Sequence, residues 1–150
     1  MNVFYIFLIV VLVVLSIQDI KEQKISVILV VLQCLLAGVM GIVGIIKQEH
    51  TVISTLYMII PGLLIILFAK LAEQSIGVAD GVIVSSMGLA LKIDEYIIAM
   101  LVTFGLMFLV AGFMLVVKKA SRKTKMAMLP YISTGVVTGI IVGEVVKYGH

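Results

Sequence analysis

The chain has 150 residues, 63% of them hydrophobic and 13% charged, and its mean hydropathy of +1.31 lies far above that of an ordinary water-soluble domain. This excludes a soluble enzyme or binding module and leaves an integral membrane protein, read as one domain over 1–150 because no linker or low-complexity tract divides it. A single cysteine excludes a disulfide framework or thiolate zinc site built from this chain alone, and the net charge of +3 comes from residues beside apolar stretches, where anionic lipid rather than nucleic acid is the nearer partner.

Six apolar stretches approach the roughly 20 residues that a crossing requires: 2–18, 25–46, 52–69, 77–91, 96–117 and 127–146. They are continuously apolar rather than alternating, which predicts an all-α membrane protein with six transmembrane helices. The first, opening "MNVFYIF", has no positive n-region and no small-residue cleavage site behind it, so it reads as a permanent helix. Asp19 stands at its end and opens the polar connection "DIKEQK".

The second stretch holds Cys34 and a loose series of small residues, Gly38, Gly41 and Gly44; the third holds Pro61, which predicts a kink. The fourth is different. From Gly77 to Leu91 it rises only about 22 Å, short of a hydrocarbon core about 30 Å thick, and it carries Asp80 near its start. That carboxylate is therefore expected below the membrane surface, where an ionisable side chain marks a functional site by default. Ser85 and Ser86, farther along, read as interhelical hydrogen-bonding residues. In the sixth stretch Pro130 suits the first helical turn. Gly135, Gly139 and Gly143 recur at four-residue spacing and line one face with small residues, which allows close helix approach.

Six crossings sort the polar connections onto two sides. One side collects Lys21, Lys24, Lys70, Lys118, Lys119, Arg122, Lys123 and Lys125; the other collects Lys47, Lys92 and Lys147. The positive-inside rule makes the first side cytoplasmic and places both termini outside. By the same parity Asp19 and Asp80 belong to the cytoplasmic face, whereas His50 and His150 fall on the opposite one, which disfavours Ser/His, Cys/His or His-metal chemistry.

A paired-carboxylate site has a definite chemistry. Close like charges in a poorly solvated place raise the proton affinity of one member, so one is protonated while its neighbour is ionised. The ionised carboxylate takes a proton from water, the water attacks a peptide carbonyl, and the protonated member polarises that carbonyl and then helps protonate the leaving amine. Such a pair titrates as a unit. The milder readings are a solvated loop residue for Asp19 and a helix N-cap for Asp80.

The segment "QDIKEQKIS" (18–26) resembles the first signature of type IV prepilin peptidases and archaeal preflagellin peptidases, and "IGVADGVIVSSMGLAL" (76–91) resembles their second, Gly-x-Gly-Asp entering an apolar helix. "MLPYISTGVVTG" (128–139) is similar to the opening of their final helix, and the likeness runs in order along the whole chain. In this chain Ala79 stands at the second glycine of the signature and Gly81 follows the aspartate. The resemblance implies a membrane aspartyl endopeptidase of the GxGD type in the cytoplasmic membrane, cleaving the basic leader of pilin-like or flagellin-like precursors without metal or other cofactor. Asp19 and Asp80 would be catalytic, and Gly77, Ala79 and Gly81 would position Asp80. Glu22 and Glu73 would contact leader Lys and Arg, and the basic loop with Lys118, Lys119, Arg122, Lys123 and Lys125 would bind anionic lipid head groups. The cysteine-rich insertion of larger bacterial members is absent, so N-methyltransferase activity is not expected. The rivals are an inactive relative serving pilus or secretion assembly, and a transporter subunit using Asp80 as an ion site.

Overall fold

A computed structural model describes residues 3–22, 25–49, 51–71, 77–118 and 127–148. Within them the chain is all-helical: α1 (Val3–Glu22), α2 (Val27–Ile46), α3 (Val52–Leu71), α4 (Val78–Ala90), α5 (Ile93–Lys118) and α6 (Leu129–Tyr148). Five of these, all but α4, are long and apolar enough to cross a membrane. Their outer faces present large apolar side chains such as Ile28, Phe108 and Val116 almost fully. In water such a continuous apolar surface would be untenable, and it fits lipid as the surrounding medium.

Two helix boundaries differ from the sequence reading by three residues or more. α1 runs on to Glu22, so Asp19 is a helical residue and not the start of a loop. Leu8, Leu12, Leu15 and Asp19 are all buried, and their spacing of four, three and four residues keeps Asp19 on the core-facing stripe. α5 starts at Ile93 rather than 96, with Asp94 and Glu95 in its first turn. Acidic residues favour the positive end of a helix, and Glu95 Oε2 accepts a hydrogen bond from the Lys92 backbone N–H at 3.2 Å, the reach-back half of a capping box. α3 continues through Pro61 as one helix.

The helices pack in the spatial order α3, α4, α2, α1, α6, α5, with α5 held chiefly by α6 and α4 by α3 and α2. The core lies where these faces meet, around Leu8, Leu12 and Leu15 of α1, Ile83, Val84 and Met87 of α4, and Ile132, Val136 and Ile140 of α6. α4 is the most enclosed element, buried at Asp80, Gly81, Ile83, Val84, Ser86, Met87, Gly88 and Ala90. A short helix wrapped by neighbours needs little lipid contact of its own, which explains how 13 residues, rising about 20 Å, are accommodated.

Glycines set the closest approaches. A Cβ on Gly88 would lie 2.5 Å from the carbonyl oxygen of Met58, and one on Gly81 would lie 2.9 Å from that of Gly62, so α3 and α4 meet backbone to backbone. On α6, added Cβ atoms at Gly135, Gly139 and Gly143 would collide with Thr103 and Ala99, with Glu95 and Ala99, and with Glu95, respectively. The four-residue stripe thus packs on a matching stripe of α5, the close approach its spacing predicts. In α2 the looser series is uneven: Gly41 packs on Leu89, while the space beside Gly38 is open.

Lys47, Lys92 and Lys147, the three lysines of the sparse side, line one cavity of about 510 Å³ together with Tyr5, Glu49, Asp94, Glu95 and Glu144. They therefore share one end of the bundle. Lys92 pairs with Glu49 at 3.1 Å, and Tyr5 donates from its hydroxyl to Glu95 Oε2 at 3.0 Å, tying the start of α1 to the start of α5.

Candidate active site

Asp19 and Asp80 lie at the other end, each more than nine-tenths buried at 8% and 7% exposure, and close enough for their charges to interact. Bringing them together takes three elements. α1 carries Asp19 inward on its buried stripe, α4 starts deep in the bundle with Asp80 in its first turn, and α6 begins directly beside Asp19. The Leu129 backbone N–H donates to Asp19 Oδ2 at 3.3 Å. This N–H is one of those that a helix start leaves without an intrahelical partner; the next residue, Pro130, has none to satisfy. The Tyr131 N–H bonds the Met128 carbonyl at 3.1 Å. A carboxylate here also meets the positive end of the α6 dipole.

The two milder readings fare differently from expectation. Asp80 is not the N-cap of α4; Gly77 is, and the Asp80 N–H closes the turn onto the Gly77 carbonyl at 3.1 Å. One carboxylate oxygen of Asp80 turns back toward the Gly77 backbone, while Oδ1 is buried with no hydrogen-bond partner among the described residues. Asp19 is no solvated loop residue either: it is the group that closes a helix end, that of α6.

The signature residues have spatial rather than torsional tasks. Gly77 has φ −73°, and among the described residues no glycine has positive φ, so the turn needs no left-handed backbone. What Gly77 supplies is room, since a Cβ there would stand 2.9 Å from Asp80 Oδ2. Ala79 is an ordinary helical residue of the first turn, and Gly81 lets Ile66 and Gly62 of α3 close against α4. Glu22 is exposed at the last residue of α1, on the dyad's end of the bundle. Glu73 lies outside the described residues, as do His50, His150 and the basic loop beyond Lys118. Among the described residues no group of three His, Cys, Asp or Glu is placed to hold a metal ion.

No family model matches the chain, nor does any curated protein or solved structure. The reading of the site therefore stands on its residues.

Sequence reasoning missed two further polar residues. Glu95, buried at the far end, is hidden in a loop-like "KIDEY" and reveals itself only through its partners Tyr5 and Lys92. Gln33 was unmarked in an apolar run, yet it is fully buried and neither Nε2 nor Oε1 has a hydrogen-bond partner among the described residues. A polar amide within a candidate span was the signal available for it.

Proposed function

We propose that the protein is a membrane aspartyl endopeptidase that cleaves the short basic leader of pilin-like or flagellin-like precursors at the cytoplasmic membrane boundary. The observation that carries this reading is the pair of buried carboxylates, Asp19 and Asp80, close enough at one end of the bundle for their charges to interact, with Asp80 Oδ1 unpartnered among the described residues. The chain crosses six times, α4 being the short crossing, with both termini outside and the Lys/Arg-rich connections inside.

In the reaction the ionised member of the dyad removes a proton from water as the oxygen attacks the scissile carbonyl. The protonated member donates to the developing oxyanion, and collapse of the tetrahedral adduct breaks the C–N bond as the amine receives a proton. Burial supports this chemistry, because a proton shared between two carboxylates is retained only where solvent does not separate their charges. The hydrogen bond from Leu129 to Asp19 fixes one oxygen and leaves the other for the reaction. Glu22, exposed beside the site, suits the leader's Lys or Arg, and anionic lipid is the partner of the basic loop 118–125.

The same Leu129 contact favours a second reading, an inactive relative that serves assembly, since it gives Asp19 a structural task. Co-expression with pilin-like precursors separates the two. Asp19→Asn and Asp80→Asn should each lower processing by about 10²–10⁴-fold, read as the ratio of cut to uncut precursor in membranes. Processing by both variants at the parent rate would end the protease reading.

A further inference from the structure

Gln33 has no task in the dyad. It belongs to the buried stripe Gln33, Ala37, Gly41, Gly44 of α2, and this stripe faces α4. A Cβ at Gly41 would come 2.9 Å from the Leu89 carbonyl oxygen, and the neighbouring Cys34 reaches the Ser86 side chain. α2 and α4 run in the same direction, because Lys47 just after α2 and Lys92 just after α4 line the same cavity. Counting back from the two contacts sets Gln33 level with residues 81 to 85 of α4, about 1.5–7.5 Å deeper in the bundle than Asp80.

The depth indicates what the amide would meet. A segment presenting its peptide bond to Asp19 and Asp80 must be extended there, which frees backbone N–H and C=O groups in a medium poor in water, and each of them needs a partner. The leader side of such a segment is basic and stays at the surface; the side after the cut is apolar and points into the bundle. A carboxamide offers two donors and an acceptor and so matches a peptide unit group for group. An extended chain advances about 3.3 Å per residue, so a depth of about 1.5–7.5 Å spans the first two residues past the scissile bond.

We infer that the Gln33 carboxamide hydrogen-bonds the substrate main chain one to two residues after the cut and holds the apolar segment extended across the dyad. This rests on the protease reading. Gln33 is sealed from solvent, so the segment reaches it only as the helices part locally.

The test compares the parent with Gln33→Leu and Gln33→Met, which keep the volume and remove the polar atoms. Both should process a co-expressed precursor about 10-fold or more slowly, while the detergent-solubilised proteins melt at the parent temperature or above it. In an Asp80→Asn background, a precursor carrying a photo-crosslinker two residues after the cut should label the Gln33 protein strongly and the Leu variant weakly. Parent-like processing by both variants, with the Asp variants inactive, overturns this inference and leaves the protease reading intact. A lowered melting temperature that accounts for the lost processing makes Gln33 structural and overturns it as well. Normal processing by the Asp variants removes the reading beneath it.

Discussion

At the scale of single residues, the structure turns a sequence motif into a steric statement. A Cβ at Gly77 would stand 2.9 Å from the Asp80 carboxylate, closer than side chains pack. Asp80 has two side-chain torsions, and the atom nearest Gly77 is the tip of its side chain rather than backbone. A methyl group at 77 should therefore rotate the carboxylate rather than unfold the turn. Misplacing a reacting group by about 1 Å costs on the order of 100-fold in rate. Gly77→Ala is accordingly expected to cut precursor processing by roughly 10- to 100-fold while the melting temperature in detergent stays near the parent's; loss of both together would mean that the turn itself failed. Asp19 carries a second task besides the dyad, since its hydrogen bond to Leu129 sets the start of α6.

At the scale of elements, contact between helices is set by small residues more than by apolar ones. Lipid tails are as apolar as leucine, so apolarity alone gives helices no reason to prefer one another over lipid; close packing does. α6 meets α5 through Gly135, Gly139 and Gly143, and at Gly139 the nearest atoms are the Glu95 carbonyl oxygen and Ala99. Backbone cannot give way as a side-chain tip can. Gly139→Leu should force α5 and α6 apart and destabilise the protein by about 1–3 kcal/mol or more, read as a lowered melting temperature in detergent. Gly38→Ala, facing open space in α2, is the control: it should be neutral or stabilising by up to about 1 kcal/mol. Equal effects at the two sites would contradict the packing account. The dyad depends on this packing, because Leu129 at the head of α6 is the donor to Asp19.

At the scale of the whole molecule, the two ends of the bundle differ in kind. One holds the buried dyad with Glu22 beside it; the other holds a polar cavity with three lysines, four acids and the Tyr5–Glu95 tie. In the proposed orientation, which follows the positive-inside rule, the dyad's end faces the cytoplasm. In a Cys34→Ala background, Glu22→Cys should react with a membrane-impermeant maleimide only after the cells are opened, and Lys47→Cys should react in intact cells. The reverse pattern would invert the orientation and put the proposed cleavage on the wrong side of the membrane.

Sequence alone determined the membrane class, the number of helices and the shortness of α4, because apolar run length and helical rise are local quantities. It also paired Asp19 with Asp80 at one face, since parity along the chain requires only a count of crossings. It misplaced the end of α1, where helix-forming polar residues carry the helix on past the apolar run. What only the tertiary structure decided is which polar groups are satisfied: that Asp19 closes α6, that Asp80 Oδ1 and Gln33 have no such partner among the described residues, and that Gly77 makes room for a carboxylate. Hydrogen bonds and close approaches between helices join residues as much as 110 positions apart, and no local pattern of apolar and polar residues encodes the partner at the other end.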